Sequence, residues 1–325
     1  MFKFEHTSFG ENDKITFSDD KNNRFSLSPN HGGCLLELVF DGQNILDSYS
    51  TPEELVENKW SKSAFLYPYP NRLRDGKYKH NGKTYQFAIN NATTQNSIHG
   101  FGKDVPMRVI KTSLKENEAS VRLRWKHDGT NLSYPFKFSM IITMKFKLAY
   151  TDKKNKKYPA EFTVEMALQN NSPHDIPVGL GWHPYFKISE KVDDILLLMP
   201  SVDKIEIDSR MLPIGTLSKF EDFKTWRTIG DTVLDNGFLI KSNDEKTAQI
   251  CIKSDKAELK FWQEIGPAKW NYTQIFTPPH RNSIAIEPMT CNIDAFNNKD
   301  GLLLLTPKAV LDGKFGVRFE QLNIE

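Results

Sequence analysis

The chain has 325 residues, of which 38% are hydrophobic and 26% charged, and its 43 basic and 41 acidic side chains leave a net charge of +2. A chain of this length and composition can bury a large core, and we expect a single domain over residues 1–325. The balanced charge gives no field that would recruit nucleic acid or an anionic membrane, so neither partner is expected and a small neutral ligand is favoured.

The first predicted elements are a hairpin and a short helix. Asp41-Gly42 follows an apolar run and accepts the backbone of a tight turn, which predicts a hairpin. Thr51, with Glu54 three residues later, has the pattern of a helix N-cap and predicts a helix over Pro52–Lys59. Helices are therefore expected to be few and short.

Further along the chain, turn signals and alternating hydrophobicity predict strands. Asn81-Gly82 lies between two strand-like runs and predicts a type I′ hairpin turn, because both residues tolerate positive φ. Apolar and polar residues alternate through Phe136–Leu148, as they do in a long half-buried strand. The next strand is predicted from the same alternation at Phe162, Val164, Met166 and Leu168.

Many half-buried strands need sheets that pack face to face, because each strand must cover its apolar side. The sequence therefore predicts an all-β fold, a large antiparallel β-sandwich with few short helices. A ligand site in such a fold is expected on the concave face of one sheet or among the loops at its rim.

The cysteines and the N-terminus bear on the compartment. Cys34, Cys251 and Cys291 are odd in number, widely spaced and without a CxxC pair, which argues against a disulfide framework or a structural zinc site. The N-terminus has no signal-peptide pattern, and no stretch approaches the roughly 18 apolar residues of a membrane span. We expect a cytoplasmic protein.

A histidine on a stiff aromatic segment is the first candidate for chemistry. His183 precedes Pro184, which restricts the histidine backbone to extended conformations. Trp182, Tyr185 and Phe186 are expected to form aromatic walls of the kind that stack on sugar rings. With an ordinary pKa of about 6.5, His183 can supply and recover a proton near neutral pH. A hydrogen-bonded core histidine is the alternative.

A glutamate about a hundred residues later supplies the matching base. Glu287 lies between the apolar run Ile284–Ile286 and Pro288, so it is expected at the end of a strand in a partly desolvated place. A carboxylate in such a place is a better base than in water. The alternative is an ordinary surface ion pair. Together, His183 and Glu287 indicate acid–base chemistry.

Two further loops have the chemistry to hold a polyol. Asn71 and Arg72 offer an amide and a guanidinium on a turn, and His99 lies in a glycine-flexed loop. The chain contains no GxxxxGK[ST] loop and no GxGxxG opening a helix, so nucleotide binding has no support. It also lacks HExxH or a comparable cluster, so neither a metal nor another cofactor is expected.

Six short motifs follow one another along the chain. They are Asn71-Arg72 with Asp75–Tyr78, Asn96–Gly100, His183–Phe186, Leu234–Phe238, Gln274–Thr277 and Glu287–Thr290. In these motifs and in their order, the chain resembles the aldose 1-epimerase (galactose mutarotase) family over most of its length. The resemblance implies a β-sandwich that interconverts the α and β anomers of a free hexose or related aldose without cofactor or metal.

The resemblance also implies roles for individual residues. Glu287 would take the proton of the anomeric hydroxyl and His183 would protonate the ring oxygen, so that the C1–O5 bond opens and recloses on the other face. His99 and Arg72 would contact the reacting end of the sugar. The predicted site comprises the catalytic residues His183, Glu287 and His99 and the substrate-binding residues Asn71, Arg72, Asp235 and Gln274.

Other functions stay open at this point. Arg74 and Lys103 lie near the motif loops and would suit a sugar phosphate. A carbohydrate-binding protein that has the pocket without useful turnover is a further alternative, as is a lyase or a glycosidase, although hydrolysis normally uses two carboxylates. Asn236, Phe101 and Trp182 depart from the motifs of well-described members, so the sugar is not specified. Both a monomer and a homodimer are compatible with the sequence.

Overall fold

The computed structural model describes residues 1–241 and 244–322, and in this part of the chain almost all regular structure is β-strand. Every pairing between its named strands is antiparallel. The predicted all-β antiparallel sandwich with few short helices is confirmed.

The largest sheet has nine strands within the described residues. One of its strands, Phe138–Lys147, covers most of the predicted Phe136–Leu148, with buried even positions. In spatial order the sheet consists of Arg108–Leu114, Glu118–His127, Phe138–Lys147, Glu161–Asn170, Val310–Gln321, Ala257–Glu264, Thr247–Lys253, Leu196–Leu198 and Arg227–Thr228.

A second sheet has eight strands in the described part of the chain and carries most of the predicted site. Seven of these strands form one hydrogen-bonded series of neighbours. The eighth, Tyr185–Phe186, pairs with Ile284–Met289. The seven are, in spatial order, Pro213–Phe220, Val202–Ile207, Asp235–Ile240, Tyr272–Phe276, Ile284–Met289, Gly181–His183 and Ala64–Leu66.

Smaller sheets complete the β-structure of the described residues. A five-stranded sheet at the N-terminus contains Lys3–Phe9, Asn12–Ser18, Arg24–Ser28, Cys34–Phe40 and Gln43–Asn44. Two-stranded sheets pair Arg72–Arg74 with Asn96–Ile98, Lys77–His80 with Lys83–Gln86, Tyr150–Thr151 with Lys157–Tyr158, and Ile176–Val178 with Leu303–Leu305.

Both predicted hairpin turns are confirmed. Asp41 and Gly42 have φ of +47° and +89°, and they join Cys34–Phe40 to the next strand. Asn81 and Gly82 have φ of +48° and +75°, as expected for a type I′ turn. The turn residues therefore set the register of these strands.

The helices of the described residues are short. Thr51 caps the first of them, since its Oγ1 accepts a hydrogen bond from the Glu54 amide at 3.3 Å. This helix ends at Val56 rather than at the predicted Lys59, because Asn58 adopts a left-handed backbone. None of the described helices is long and apolar enough to cross a bilayer. The helical segments are Pro52–Val56 and Ala295–Asn298, with 3₁₀ turns at Lys59–Ser61, Gly102–Asp104 and Val192–Asp194.

Aromatic side chains fill the space between the sheets. The five-stranded sheet packs on the nine-stranded sheet where Phe40 meets Phe146 at 4.7 Å between ring centroids. The eight-stranded sheet packs on the same large sheet where Trp182 stacks on Phe315 at 5.1 Å. The face of the eight-stranded sheet that points away from this core is therefore free to hold a site.

Truncation of Phe146 is expected to destabilise the fold strongly. Its ring is fully buried and contacts aromatic rings of both packed sheets. Phe146→Ala is therefore expected to lower the free energy of unfolding by about 3–5 kcal/mol, as measured by chemical denaturation. Phe4, which is 44% exposed, provides the matched control, and Phe4→Ala is expected to cost about 1 kcal/mol or less. Equal losses in the two variants would contradict this description of the core.

Candidate active site

The strand alternation places His183 on the outer face of the eight-stranded sheet. His183 ends the strand Gly181–His183, and Pro184 follows it. Side chains alternate across a strand, so Trp182 points into the core while His183 points away from it. Tyr185 has the same parity as His183, and the two rings stack at 5.0 Å between centroids with 22° between their planes.

Three neighbouring strands supply the carboxylates and an amide to the same face. Glu287 lies within Ile284–Met289 and is directly opposite Gln274 in the sheet register. Asp235 begins the next strand, where its Oδ1 accepts a hydrogen bond of 2.7 Å from Nε2 of Gln274. Glu287 is only 2% exposed, so the predicted desolvation is confirmed, although the strand continues beyond it.

A small two-stranded sheet brings the remaining predicted residues over this face. Asn71 precedes the strand Arg72–Arg74, and Arg72 begins it. This strand pairs with Asn96–Ile98, and His99 follows directly. The amide of His99 donates a hydrogen bond to the Asn71 carbonyl at 3.1 Å, so the two loops are fixed to each other.

All seven predicted site residues line one pocket of about 360 Å³. This volume lies in the range of small-molecule sites, which is about 300–1,000 Å³. The structure thus brings together side chains that are separated by more than 200 positions in the sequence. The lining residues are Trp60, Ser61, Asn71, Arg72, Asn90, Asn91, Ile98, His99, His183, Tyr185, Asp235, Gln274, Phe276 and Glu287.

His183 and Glu287 face each other on the floor of the pocket. Nε2 of His183 lies 3.4 Å from Oε1 of Glu287, and both side chains are buried. This contact is longer than a normal N–H···O hydrogen bond of about 2.7–3.2 Å. Within the described residues, Nδ1 of His183 and Oε2 of Glu287 have no hydrogen-bonding partner. The pair therefore retains capacity to exchange protons and hydrogen bonds with a bound molecule.

Burial shifts the protonation of both groups toward the neutral form. Desolvation, reinforced by the negative charge of Asp235 and opposed by Arg72, raises the pKa of Glu287 well above its ordinary value. Desolvation also lowers the pKa of His183 to about 3. The sequence-based expectation of a histidine titrating near neutral pH is therefore wrong for the free pocket, because it took no account of burial.

His99 is held as a neutral imidazole with a defined tautomer. Its Nδ1 donates a hydrogen bond of 2.8 Å to the carbonyl of Pro70, which leaves the lone pair on Nε2. Desolvation and the neighbouring His183 lower its pKa well below the ordinary value. The His99 ring meets the His183 ring edge to face at 5.1 Å, so it also helps to fix the orientation of His183.

Arg72 contributes a guanidinium without an ion pair inside the described part of the chain. Its Nη1 donates to Oδ1 of Asn71 at 3.3 Å, and its Nη2 contacts the Met211 sulfur at 3.1 Å. Desolvation lowers its pKa, whereas the charges of Asp235 and Glu287 raise it. A cation placed near two carboxylates without neutralising either can bind a ligand oxygen.

The predicted aromatic walls are only partly correct. Tyr185 lines the pocket, whereas Trp182 and Phe186 are fully buried in the core between the sheets. Sequence reasoning did not identify Trp60, Asn90 or Asn91 as pocket residues. Their positions depend on loop conformations for which the sequence contains no motif.

The cations that suggested a sugar phosphate lie elsewhere. Nε of Arg74 lies 3.6 Å from an oxygen of Asp294, and Nζ of Lys103 lies 2.9 Å from an oxygen of Asp104. Neither side chain lines the pocket. Across residues 1–241 and 244–322, no three His, Cys, Asp or Glu side chains are arranged to hold a metal ion.

Comparison with solved structures defines the class of fold. A galactose mutarotase-like protein from Clostridium acetobutylicum superposes with a TM-score of 0.84 and 21% identity, and 99% of each chain is covered. Galactose 1-epimerase from Lactobacillus acidophilus NCFM superposes with a TM-score of 0.79 and 17% identity, again over 99% of each chain. The fold is therefore that of the galactose mutarotase-like β-sandwich proteins.

Sequence comparison then identifies the family. Residues 13–318 match the family described as Aldose 1-epimerase. The uncharacterized protein YihR of Escherichia coli K12 is 25% identical over 287 residues, which cover 84% of this chain and 83% of that protein. A probable aldose 1-epimerase of Arthroderma benhamiae is 23% identical over 208 residues, which cover 59% of this chain and 46% of that protein. The chain belongs to the aldose 1-epimerase family.

Proposed function

We propose that this protein is a mutarotase, an isomerase that interconverts the α and β anomers of a free hexose or related aldose. The observation that carries the proposal is the buried pair of His183 and Glu287, with 3.4 Å between Nε2 and Oε1, in a pocket that also contains amide, carboxylate and guanidinium groups. Such a pocket provides an acid and a base at the reacting end of a sugar and hydrogen-bonding groups for its other hydroxyls.

The chemistry requires one proton to leave the anomeric hydroxyl as another reaches the ring oxygen. The Glu287 carboxylate takes the proton from O1, and the O–H electron pair forms the C1=O1 bond. The C1–O5 electron pair moves to O5, which receives the proton from the His183 imidazolium. The aldehyde end then rotates, and the same two transfers in reverse close the ring on the other face.

The protonation preferences of His183 and Glu287 fit these proton-transfer steps. The pair holds one proton either as neutral imidazole with carboxylic acid or as imidazolium with carboxylate, so the two forms do not differ in net charge. Burial favours the uncharged form, and hydrogen bonds from a bound sugar favour the charged one. Ring opening returns the pair to its uncharged form, so desolvation assists the step.

The other pocket residues are assigned to binding. Arg72 and the Nε2 lone pair of His99 serve the reacting end of the sugar, as a donor and an acceptor respectively. Asn71, Gln274 and Asp235 form a hydrogen-bonded series and hold the remaining hydroxyls. We propose no role for a metal or an organic cofactor in this reaction.

A competition experiment tests the substrate class. Anomer exchange of glucose and galactose is followed by NMR exchange spectroscopy, with glucose 6-phosphate and galactose 6-phosphate added as competitors. Since Arg72 is the only Lys or Arg that lines the pocket in the described part of the chain, each free sugar is expected to compete better than its 6-phosphate. Stronger competition by the phosphates would favour the sugar-phosphate alternative.

The pH dependence of kcat/KM is expected to reflect the ionisation of the His183–Glu287 pair, which holds one exchangeable proton. When the pair loses this proton, His183 has none to donate to O5. The value of kcat/KM is therefore expected to fall as pH rises through the raised pKa of Glu287. The charge of Asp235 contributes to that raised pKa. Asp235→Asn is therefore expected to lower the pKa of Glu287 and to move the basic limb of the kcat/KM profile to lower pH.

A second carboxylate in the same sheet provides the control for this pH shift. Asp203 is paired with Lys241 at 2.7 Å and does not line the pocket. Asp203→Asn is expected to leave the profile of the wild-type protein unchanged. A basic limb that stays in place in Asp235→Asn, or that moves equally in both variants, would contradict the electrostatic coupling.

A further inference from the structure

Trp60 lies at the mouth of the pocket, and we propose that it forms with Phe276 a platform on which the apolar C–H face of the sugar ring stacks. The inference rests on the proposed function and adds a determinant of substrate recognition. Trp60 is 43% exposed, whereas His183 and Glu287 on the floor are 6% and 2% exposed. The pocket thus combines a buried polar floor with an exposed aromatic rim.

The Trp60 indole packs against the Phe276 ring in a stacked arrangement. The Trp60 and Phe276 ring centroids are 6.1 Å apart, and their planes differ by 26°. His280 meets Trp60 edge to face at 6.3 Å and restrains the ring from another side. Phe276 lies on the strand that also carries Gln274. One ring of the platform therefore lies on the same strand as Gln274, a polar residue of the pocket.

The backbone around Trp60 is strained. Trp60 has a φ of +61°, and this left-handed region is unfavourable for a bulky side chain. Asn58, Ser61 and Ser63 have positive φ as well. Such clusters persist where surrounding contacts hold them, and they concentrate at ligand-binding sites. A regular helix continued from Pro52–Val56 would not give this backbone path.

Hydrogen bonds connect the Trp60 segment to the strands that carry the acid. The Ser63 amide donates to the His183 carbonyl at 2.8 Å. The Tyr185 hydroxyl donates to the Trp60 carbonyl at 3.2 Å, and Nε1 of Trp182 donates to the Ser63 carbonyl at 3.1 Å. These bonds fix the position of the indole relative to His183.

The chemistry of a pyranose fits this arrangement. Its hydroxyls need donors and acceptors, which the floor supplies, while its axial C–H bonds form an apolar patch that an indole face can cover. An indole that served only to fill the core would be buried, as Trp182 and Trp270 are. The ligand class assigned to the platform is therefore a pyranose with a continuous C–H face.

Kinetics of paired tryptophan variants test the platform with freshly dissolved α-glucose and α-galactose. Trp60→Ala is expected to raise KM about tenfold, because the stacking contact is lost, and to change kcat by less than about threefold. Trp60→Phe retains a stacking ring and is expected to recover most of the affinity. Trp226, which is 39% exposed and does not line the pocket, provides the matched control, and Trp226→Ala is expected to match the wild-type protein.

Tryptophan fluorescence gives a readout that does not depend on turnover. In a Trp226→Phe background, titration with either sugar is expected to produce a saturable change in emission from the exposed Trp60. The additional Trp60→Phe substitution should abolish that change while sugar binding, measured by calorimetry, persists.

The outcomes separate the platform from the proposed function. Wild-type KM in Trp60→Ala, or a loss confined to kcat, would overturn the platform in a protein that remains a mutarotase. Absence of turnover in the wild-type protein, with a saturable emission change that depends on Trp60, would overturn the proposed function and support the platform. Absence of both turnover and emission change would overturn both.

Discussion

Glu287→Gln is expected to reduce the catalysed rate of anomer interconversion by about 10²–10⁴-fold, the usual contribution of a general acid or base. The amide has nearly the same shape as the carboxyl group but cannot take the proton from O1. Because Glu287 is buried opposite Gln274, the fold should accept an amide at this position. The rate is measured by polarimetry on freshly dissolved sugar.

The control for Glu287→Gln is a glutamate on the same sheet outside the pocket. Glu206 lies on the strand Val202–Ile207 and pairs with Lys204 at 3.1 Å. Glu206→Gln is expected to retain the wild-type rate, and circular dichroism should show that both variants are folded. A folded Glu287→Gln protein with wild-type activity would exclude Glu287 as the base.

His183→Gln is expected to cause a second large loss, also about 10²–10⁴-fold in kcat. The glutamine amide can occupy the space and donate a hydrogen bond, but it cannot deliver a proton to O5. Since the substitution removes an interaction that forms fully only in the transition state, kcat is expected to fall much more than KM rises. Progress curves at several sugar concentrations separate the two parameters.

A buried histidine of the nine-stranded sheet provides the control for this variant. His127 lies on Glu118–His127, and its Nε2 contacts the Tyr134 carbonyl at 2.9 Å. His127→Gln is expected to lower stability while leaving kcat unchanged. If His183→Gln behaved like His127→Gln in both measurements, the role of His183 would be structural rather than catalytic.

Seven of the residues that line the pocket could be predicted from the sequence, whereas the geometry of the pocket could not. His183 and Glu287 stand out by local context, but their contact depends on the pairing of Gly181–His183 with Ala64–Leu66 and with the strand that carries Glu287. Long-range register of this kind has no signature in a single sequence. The lowered pKa of His183 follows from the same packing, since its physical cause is burial.

The aromatic residues show which inferences the sequence permits. The burial of Trp182 and Phe186 follows from strand alternation once His183 is taken to face the pocket, so the sequence does permit this inference. Trp60 is different, because it reaches the rim through a left-handed backbone that no turn signal in the sequence indicates. Strands, hairpins and the class of fold could be predicted because they depend on local hydrophobic patterns.

The most direct test of the account is polarimetry of the wild-type protein, Glu287→Gln, His183→Gln and the double variant on freshly dissolved α-glucose and α-galactose. We expect the wild-type protein to accelerate mutarotation of at least one sugar with saturation. Each single variant should lose nearly all of this acceleration, and the double variant should lose little more, because the pair acts as a unit. Saturable acceleration that survives in the double variant would contradict the central role of this pair.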